Sequence, residues 1–119
     1  MPIKSYKELI VWQKSIELVA AVYVITRLLP KSEIFCLISQ MQRAVVGIAS
    51  NIAEGFGRNH SKEFAQFLSI AFGSALELET QIIICKRQYS NIDYSKAEIL
   101  LSEVQKMLRS LRLKVSAND

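Results

Sequence analysis

Apolar residues recur along this chain at alternating spacings of three and four positions, in four successive segments. Residues three and four apart lie on the same side of an α-helix, so each segment predicts one amphipathic helix. No segment alternates apolar and polar residues as a half-buried β-strand does. The four apolar stripes are Leu9, Trp12, Ile16, Val19 and Tyr23; Ile34, Ile38, Met41, Val45, Ile48 and Ile52; Phe64, Leu68, Ala71, Ala75, Leu78, Ile82 and Cys85; and Ala97, Leu101, Val104, Leu108, Leu111 and Val115.

Helix-breaking and helix-capping residues separate the four stripes. Pro30 pushes Leu29 out of helical geometry, and Gly55 and Gly57 are placed to end the second helix. Candidate N-caps of the later helices are Ser32, then Ser61 or Asn59, then Asn91 or Asp93. The predicted helices span about 6–28, 33–56, 61–88 and 94–115. Because these helices are long and their connections short, we predict an all-α, antiparallel up-down-up-down four-helix bundle.

The composition is that of one small soluble domain, spanning 1–119. Half of the 119 residues are hydrophobic, and the net charge is +4, which is compatible with nucleic acid as a partner. Cys36 and Cys85 match no zinc-ligand or Cys-x-x-Cys spacing. The N-terminal sequence lacks a continuous apolar signal core, and no apolar run reaches about 18 residues. We therefore expect a cytoplasmic protein with reduced thiols and no membrane contact.

Some apolar residues lie outside the four stripes. The first helix has a second stripe, and the third helix has three additional apolar positions beside its own. A lone antiparallel bundle needs only about three apolar positions in seven per helix, and large exposed apolar patches are rare in monomers. We therefore predict a subunit interface, and the alternative is a wide core stripe. The additional residues are Val11, Leu18, Val22, Ile25 and Leu29, and Phe72, Leu76 and Ile83.

The segment "NIAEGFGRNHSKEF", residues 51–64, contains the only histidine but no motif of known chemistry. A P-loop needs Gly-Lys-Ser/Thr, and a dinucleotide fingerprint needs three glycines after a strand. A di-iron bundle needs two Glu-x-x-His pairs, and His60 has no Glu three residues before it. Ser61 beside His60 lacks the opposed base and the third orienting group of a nucleophile site. We predict no catalytic residues, no metal, no cofactor and no enzyme activity.

Two groups of polar residues are candidates for a functional site. Along the second and third helices, Arg43, Asn51, Glu54 and Glu77 form a polar cluster, which is either a structural hydrogen-bond network or a ligand pocket. Basic residues gather at the corner between these helices and near the end of the fourth helix, where cations also favour the helix dipole. The candidate nucleic-acid-binding residues are Arg58, Lys62, Arg109, Arg112 and Lys114.

The motifs "LIVWQKSIELVAAVYVIT", "LISQMQRAVVGIASNIAEGFGR" and "SKEFAQFLSIAFGSALELETQI", in this order, resemble the 23S rRNA intervening-sequence protein family, also called the four helix bundle protein family. The similarity covers about residues 6–115. The resemblance implies a bacterial four-helix bundle that assembles as a ring-like homopentamer and has no established catalytic activity. The chain is also similar to the accessory protein of diversity-generating retroelements, a basic pentameric bundle that binds nucleic acid and a reverse transcriptase. The family's frequent arginine pair is here Arg43 followed by Ala44.

Three functional hypotheses follow from these features. The leading one is a non-enzymatic oligomeric bundle of uncharacterised role that binds nucleic acid or a nucleoprotein through its basic surface. A homopentamer would carry five times the +4 charge of one chain, and the fields of its subunits would add. The alternative is a protein-interaction scaffold with no nucleic-acid role. The third is a small-molecule pocket around Arg43, Asn51 and Glu54.

Overall fold

A computed structural model describes residues 3–117, so the two residues at each end of the predicted domain 1–119 lie outside the described part. Four α-helices fill most of this range, and no strand occurs in it, which confirms the predicted all-α bundle. The bundle measures 45 × 23 × 20 Å. The helices are α1 (Ile10–Leu28), α2 (Ser39–Gly57), α3 (Ser61–Gln88) and α4 (Ser95–Ser116), with 3-10 turns at Tyr6–Glu8 and Lys31–Glu33 and a π-helix at Ile34–Ile38.

Each helix packs against its two neighbours in the order α1, α2, α3, α4 and back to α1. The α2–α3 pair is the most extensive of these contacts. Since the chain runs up and down alternately, the α2–α3 corner and the C-terminal end of α4 lie at the same end of the bundle, which we call the lower end. The α1–α2 and α3–α4 connections lie at the upper end. The outer face formed by α1 and α2 is therefore opposite the outer face formed by α3 and α4.

The predicted stripes of α2, α3 and α4 form most of the core. Leu68, Leu78 and Leu108 are fully buried, as are Ile48 and Ile52. Small residues alternate with these large ones on α3, where Ala71 and Ala75 are completely buried. This alternation lets α3 lie close to both of its neighbours, since close-packed interiors leave few voids.

On α1 the core stripe differs from the first predicted one. The structure buries Val11, Leu18 and Val22, whereas Ile16 of the first stripe is 44% exposed. The reason is Ser15, which continues the buried stripe at heptad spacing but is polar. Its hydroxyl donates to the carbonyl oxygen of Trp12 at 2.7 Å, so it is buried with its hydrogen bond satisfied. The second stripe of α1, which we predicted to form a subunit interface, is thus the core face of the helix.

None of the three later helices has a predicted residue as its N-cap. Ser32 lies in a 3-10 turn that runs through the π-helix into α2, and no side chain caps this segment. His60 precedes α3 and also provides no side-chain cap, while Asn59 has a left-handed φ of 59°. Before α4 the N-cap is Tyr94 and not Asn91 or Asp93, although the Asp93 carboxylate accepts from the Ser95 backbone N–H at 2.9 Å.

Gly55 is not a helix-stop residue but a point of close contact between α2 and α3. It is buried inside α2, and a Cβ atom added there would lie 2.5 Å from the Phe67 Cβ on α3. Gly57 is the last residue of α2, as predicted. At Gly73 no part of residues 3–117 packs against the backbone, since an added Cβ would meet nothing within 4 Å. The backbone of Gly47 does lie beside Ser74, since a Cβ atom added at Gly47 would lie 3.4 Å from the Ser74 Oγ.

Hydrogen bonds from two tyrosine hydroxyls connect neighbouring elements at the upper end of the bundle. Tyr94 donates to the carbonyl oxygens of Cys85 and Tyr89, at 3.1 and 2.8 Å, near the C-terminus of α3. The Tyr89 hydroxyl donates to Glu33 at 2.6 Å and so joins α3 to the turn before α2. Burial raises the pKa of the Cys85 thiol to about 11 and that of Tyr94 to about 12.

We predict that Gly55→Ala lowers the free energy of unfolding by about 1–3 kcal/mol, because the new methyl group overpacks against Phe67. Gly73→Ala is the matched control. It adds the same atom to an exposed helix interior with free space, and helix propensity predicts a gain of about 1 kcal/mol. Urea unfolding of both variants measures the difference. Equal effects of the two substitutions would contradict a close contact at Gly55.

We predict that stability declines at alkaline pH because Cys85 and Tyr94 stay protonated longer in the folded state than in the unfolded chain. Their ordinary pKa values are 9.0 and 10.0, and burial raises both. Their contribution is therefore full below about pH 9 and is lost as pH rises to about 12. Urea unfolding across this range measures the slope. Tyr94→Phe should flatten its upper part, and an unchanged slope would contradict the assignment.

Candidate nucleic-acid interface

The last turns of α4 place two arginines against α3. Val104 and Leu108 are buried, and this fixes the rotation of α4 about its axis. As a result the guanidinium of Arg109 lies over the Phe72 ring, 5.5 Å from its centroid. One turn further, Nη1 of Arg112 donates to the Ser69 hydroxyl at 3.3 Å. Neither guanidinium has a carboxylate within 4.0 Å among residues 3–117.

Lys62 joins this surface from the first turn of α3. It lies seven residues before Ser69, so it is on the same side of α3 and two turns nearer the lower end. Lys62 is exposed and has no ion-pair partner in the part of the chain that the structure describes. We call this surface the basic groove; its residues are Lys62, Ser69, Phe72, Arg109 and Arg112.

The other two candidate residues lie outside the basic groove. Arg58 lies on the α2 side of α3, over the ring of Phe67 at 5.1 Å. It pairs with Glu54 at 3.0 Å and with Glu63 at 4.0 Å, so two carboxylates offset its charge. Lys114 faces α1 and lines a separate apolar groove with Leu9 and nearby residues. Only three of the five candidates therefore share one surface, namely Lys62, Arg109 and Arg112.

Acidic residues mark the upper limit of the basic groove. Gln105, one turn above Arg109 on α4, donates to Glu79 of α3 at 3.4 Å. Higher still, Lys86 pairs with Glu98 at 2.8 Å. The positive potential between α3 and α4 is therefore confined to the lower half of the bundle, because the charges above Gln105 include carboxylates that compensate Lys86.

The four residues of the predicted polar cluster also fall into two separate groups. Asn51 donates to the carbonyl oxygen of Gly47 at 2.7 Å, and Glu54 pairs with Arg58. Both residues thus contact residues four positions away along the chain. Arg43 and Glu77 instead line a groove of about 590 Å³ between α2 and α3.

One polar atom in that α2–α3 groove was not singled out from the sequence. Gln81 lines the groove together with Arg43 and Glu77, and its Oε1 is buried without a hydrogen-bond partner among residues 3–117. The sequence places Gln81 at the edge of the apolar stripe of α3. Only the packing of α2 against α3 shows that its side-chain oxygen is shielded from water. Sequence reasoning likewise missed Ser69 as the partner of Arg112.

Within residues 3–117, no three His, Cys, Asp or Glu side chains lie close enough together to hold a metal ion. Both thiols are free, Cys36 exposed on the π-helix and Cys85 buried in the core. By length and composition alone, α3 is the one helix in this range that is apolar enough to cross a membrane. Core helices of soluble proteins pass the same test, and α3 packs against α2 and α4.

These features define an all-helical bundle with a short basic groove at one end. The family described as 23S rRNA-intervening sequence protein matches residues 7–110, and the chain belongs to this family. No curated protein sequence matches the chain significantly.

Among four matching chains of solved structures is a protein with unknown function from the S23 ribosomal protein family of Bacteroides thetaiotaomicron, in a crystal structure at 1.70 Å resolution. It is 24% identical, the match covers 87% of this chain and 98% of that chain, and the TM-score is 0.78. At this identity the likeness establishes the fold.

Proposed function

We propose that this chain is a non-enzymatic, self-associating four-helix bundle that binds nucleic acid through the basic groove. The observation that carries the proposal is the pair Arg109 and Arg112, which lie side by side on the α3–α4 face without carboxylate partners among residues 3–117. Unpaired guanidinium groups bind phosphates through charge-assisted hydrogen bonds. The family name refers to 23S rRNA, which supports RNA as a ligand to test.

Self-association is proposed for the opposite side of the bundle. Gln42 of α2 donates to Thr26 of α1 at 3.2 Å and marks the outer edge of the α1–α2 contact. Beside it lie residues of the first apolar stripe and one apolar residue of α2, and Ile16 and Val46 are 44% and 42% exposed. We call this surface the α1–α2 face; its residues are Ile16, Val19, Tyr23 and Val46.

Subunits joined through the α1–α2 face would carry their basic grooves on the outside. Their charges would then add along one assembly, which strengthens attraction to a polyanion. The family resemblance makes a homopentamer the expected assembly, and a cytoplasmic location fits the free thiols. The groove presents guanidinium, ammonium, hydroxyl and aromatic groups, which bind phosphates and bases, and this supports a binding role.

A protein-interaction scaffold is the second candidate function. It is supported by Phe35, which is 96% exposed on the π-helix at the upper end. Ile34 and Leu28 nearby are also exposed, so an apolar patch lies far from the basic groove. Exposed aromatic residues of this kind are typical anchors of protein interfaces.

We predict that the double variant Arg109→Gln/Arg112→Gln weakens nucleic-acid binding at least tenfold. It should also lower the slope of log K against log salt by about 0.7–0.9 for each phosphate that the groove no longer neutralises. Fluorescence anisotropy at several salt concentrations measures both quantities. The charge-matched control is Arg27→Gln/Arg58→Gln, which should change affinity little. Equal reductions of affinity in the two double variants, or binding that is independent of salt, would contradict the groove assignment.

We predict that Ile16→Glu dissociates the assembly, because it places a charge on the apolar α1–α2 face. Light scattering should give about five times the 13.5 kDa chain mass for the unaltered protein and a lower mass for the variant. Ile99→Glu on α4 introduces the same charge at a 64% exposed position and serves as the control. A monomeric unaltered protein would refute self-association at the tested concentration.

A further inference from the structure

The basic groove contains a combination of groups that phosphate binding alone does not require. Phe72 is half-buried, and the guanidinium of the exposed Arg109 covers its ring at 5.5 Å. Arg112 is held one turn away by Ser69. An aromatic ring and a planar guanidinium are the two side-chain groups on which unpaired bases stack. The groove therefore combines cationic groups with a stacking surface.

The shape of the α3–α4 face is unsuited to reading the bases of a duplex. Base edges of B-DNA are read by a single helix or a β-ribbon that enters a major groove about 12 Å wide. Each α-helix with its side chains is already about 10–12 Å across. Here α3 and α4 lie side by side along the groove, so neither projects from the bundle. A duplex can offer this face only its phosphates.

The length of the basic groove also limits binding to a duplex. Its cations extend from Lys62 at the lower end up to Arg109, and Glu79 beside Gln105 marks where the positive surface stops. Only a few phosphates can be neutralised over this distance, and non-specific affinity depends on the number of such contacts. A ligand that also stacks gains affinity that a duplex of equal charge cannot gain.

We infer that the basic groove binds unpaired nucleotides in preference to paired ones. A base stacks on the Arg109–Phe72 pair, and the adjoining phosphates contact Arg112 and Lys62. This inference rests on the proposed function and specifies its ligand as a single-stranded segment, of RNA or of DNA. Stacking of one base changes affinity by about tenfold, which is the preference expected per subunit.

The test is an anisotropy titration of the full chain with labelled strands about 12 nucleotides long, within the range of single-strand site sizes, at physiological salt. The arms are single-stranded RNA, single-stranded DNA, and the duplexes formed by the same sequences. Both single strands, or one of them, should bind about tenfold more tightly than the corresponding duplex. The two single-strand arms show which sugar the groove accepts. Duplex binding as tight as that of both single strands would overturn the inference.

Two substitutions separate stacking from charge. Arg109→Lys keeps the positive charge but removes the planar guanidinium, and Phe72→Leu keeps an apolar side chain of similar burial but removes the ring. Each should lower the preference for single strands over duplexes about tenfold, because a stacked base contributes to single-strand affinity alone. Arg112→Lys is the comparison, since it changes a proposed phosphate contact that both ligands make and should leave the preference unaltered. Circular dichroism of each variant checks folding, and Arg109 is exposed, so its substitution leaves the core intact.

The outcomes distinguish this inference from the proposed function. If single strands and duplexes bind equally, and Arg109→Gln/Arg112→Gln weakens both, the groove binds nucleic acid but the preference for unpaired nucleotides is refuted. If Arg109→Lys weakens both ligands to the same extent, stacking is refuted as well. If no nucleic acid binds at physiological salt, the proposed function and this inference both fail.

Discussion

At the lower end of the bundle, α2 and α3 approach so closely that the contact between Gly55 and Phe67 leaves no space for a side chain on α2. This contact fixes the most extensive helix pair of the fold and the angle of the corner that follows Gly57. The small buried residues Ala71 and Ala75 then let α3 pack closely against both α2 and α4. The rotation of α3 that results presents Ser69 and Phe72 to α4, so the basic groove depends on this packing.

The sequence predicts the fold because helix periodicity is a local signal, and the predicted stripes of α2 to α4 pack into the core with the exception of Ile34, which is 45% exposed. It misassigns the core face of α1, since two stripes compete there and the polar Ser15 interrupts the buried one. Only the folded chain shows that its hydroxyl is satisfied by the Trp12 carbonyl oxygen. Ser32 and Ser61 are not caps for a related reason, because packing of the neighbouring helices decides where the chain turns.

The candidate site was predicted in part. The three-residue spacing of Arg109 and Arg112 places both on one side of α4, and both contact α3 in the structure. Lys114 follows Arg112 by only two residues, a rotation of about 200° around the helix, and faces α1. The separation of Arg58 depends on its contacts with Glu54, Glu63 and Phe67, which tertiary packing creates. The α1–α2 face and the basic groove lie on opposite sides, and this division of the surface is the central claim of the proposed function.

Hydroxyl-radical footprinting of aromatic side chains, with and without a single-stranded oligonucleotide, tests that division most directly. Tyr23 and Phe72 lie on the two faces and report on them separately. We expect the oligonucleotide to protect Phe72, whereas Tyr23 is protected by self-association alone and becomes reactive on dilution. Protection of Tyr23 by the oligonucleotide with no change at Phe72 would contradict this division of the surface.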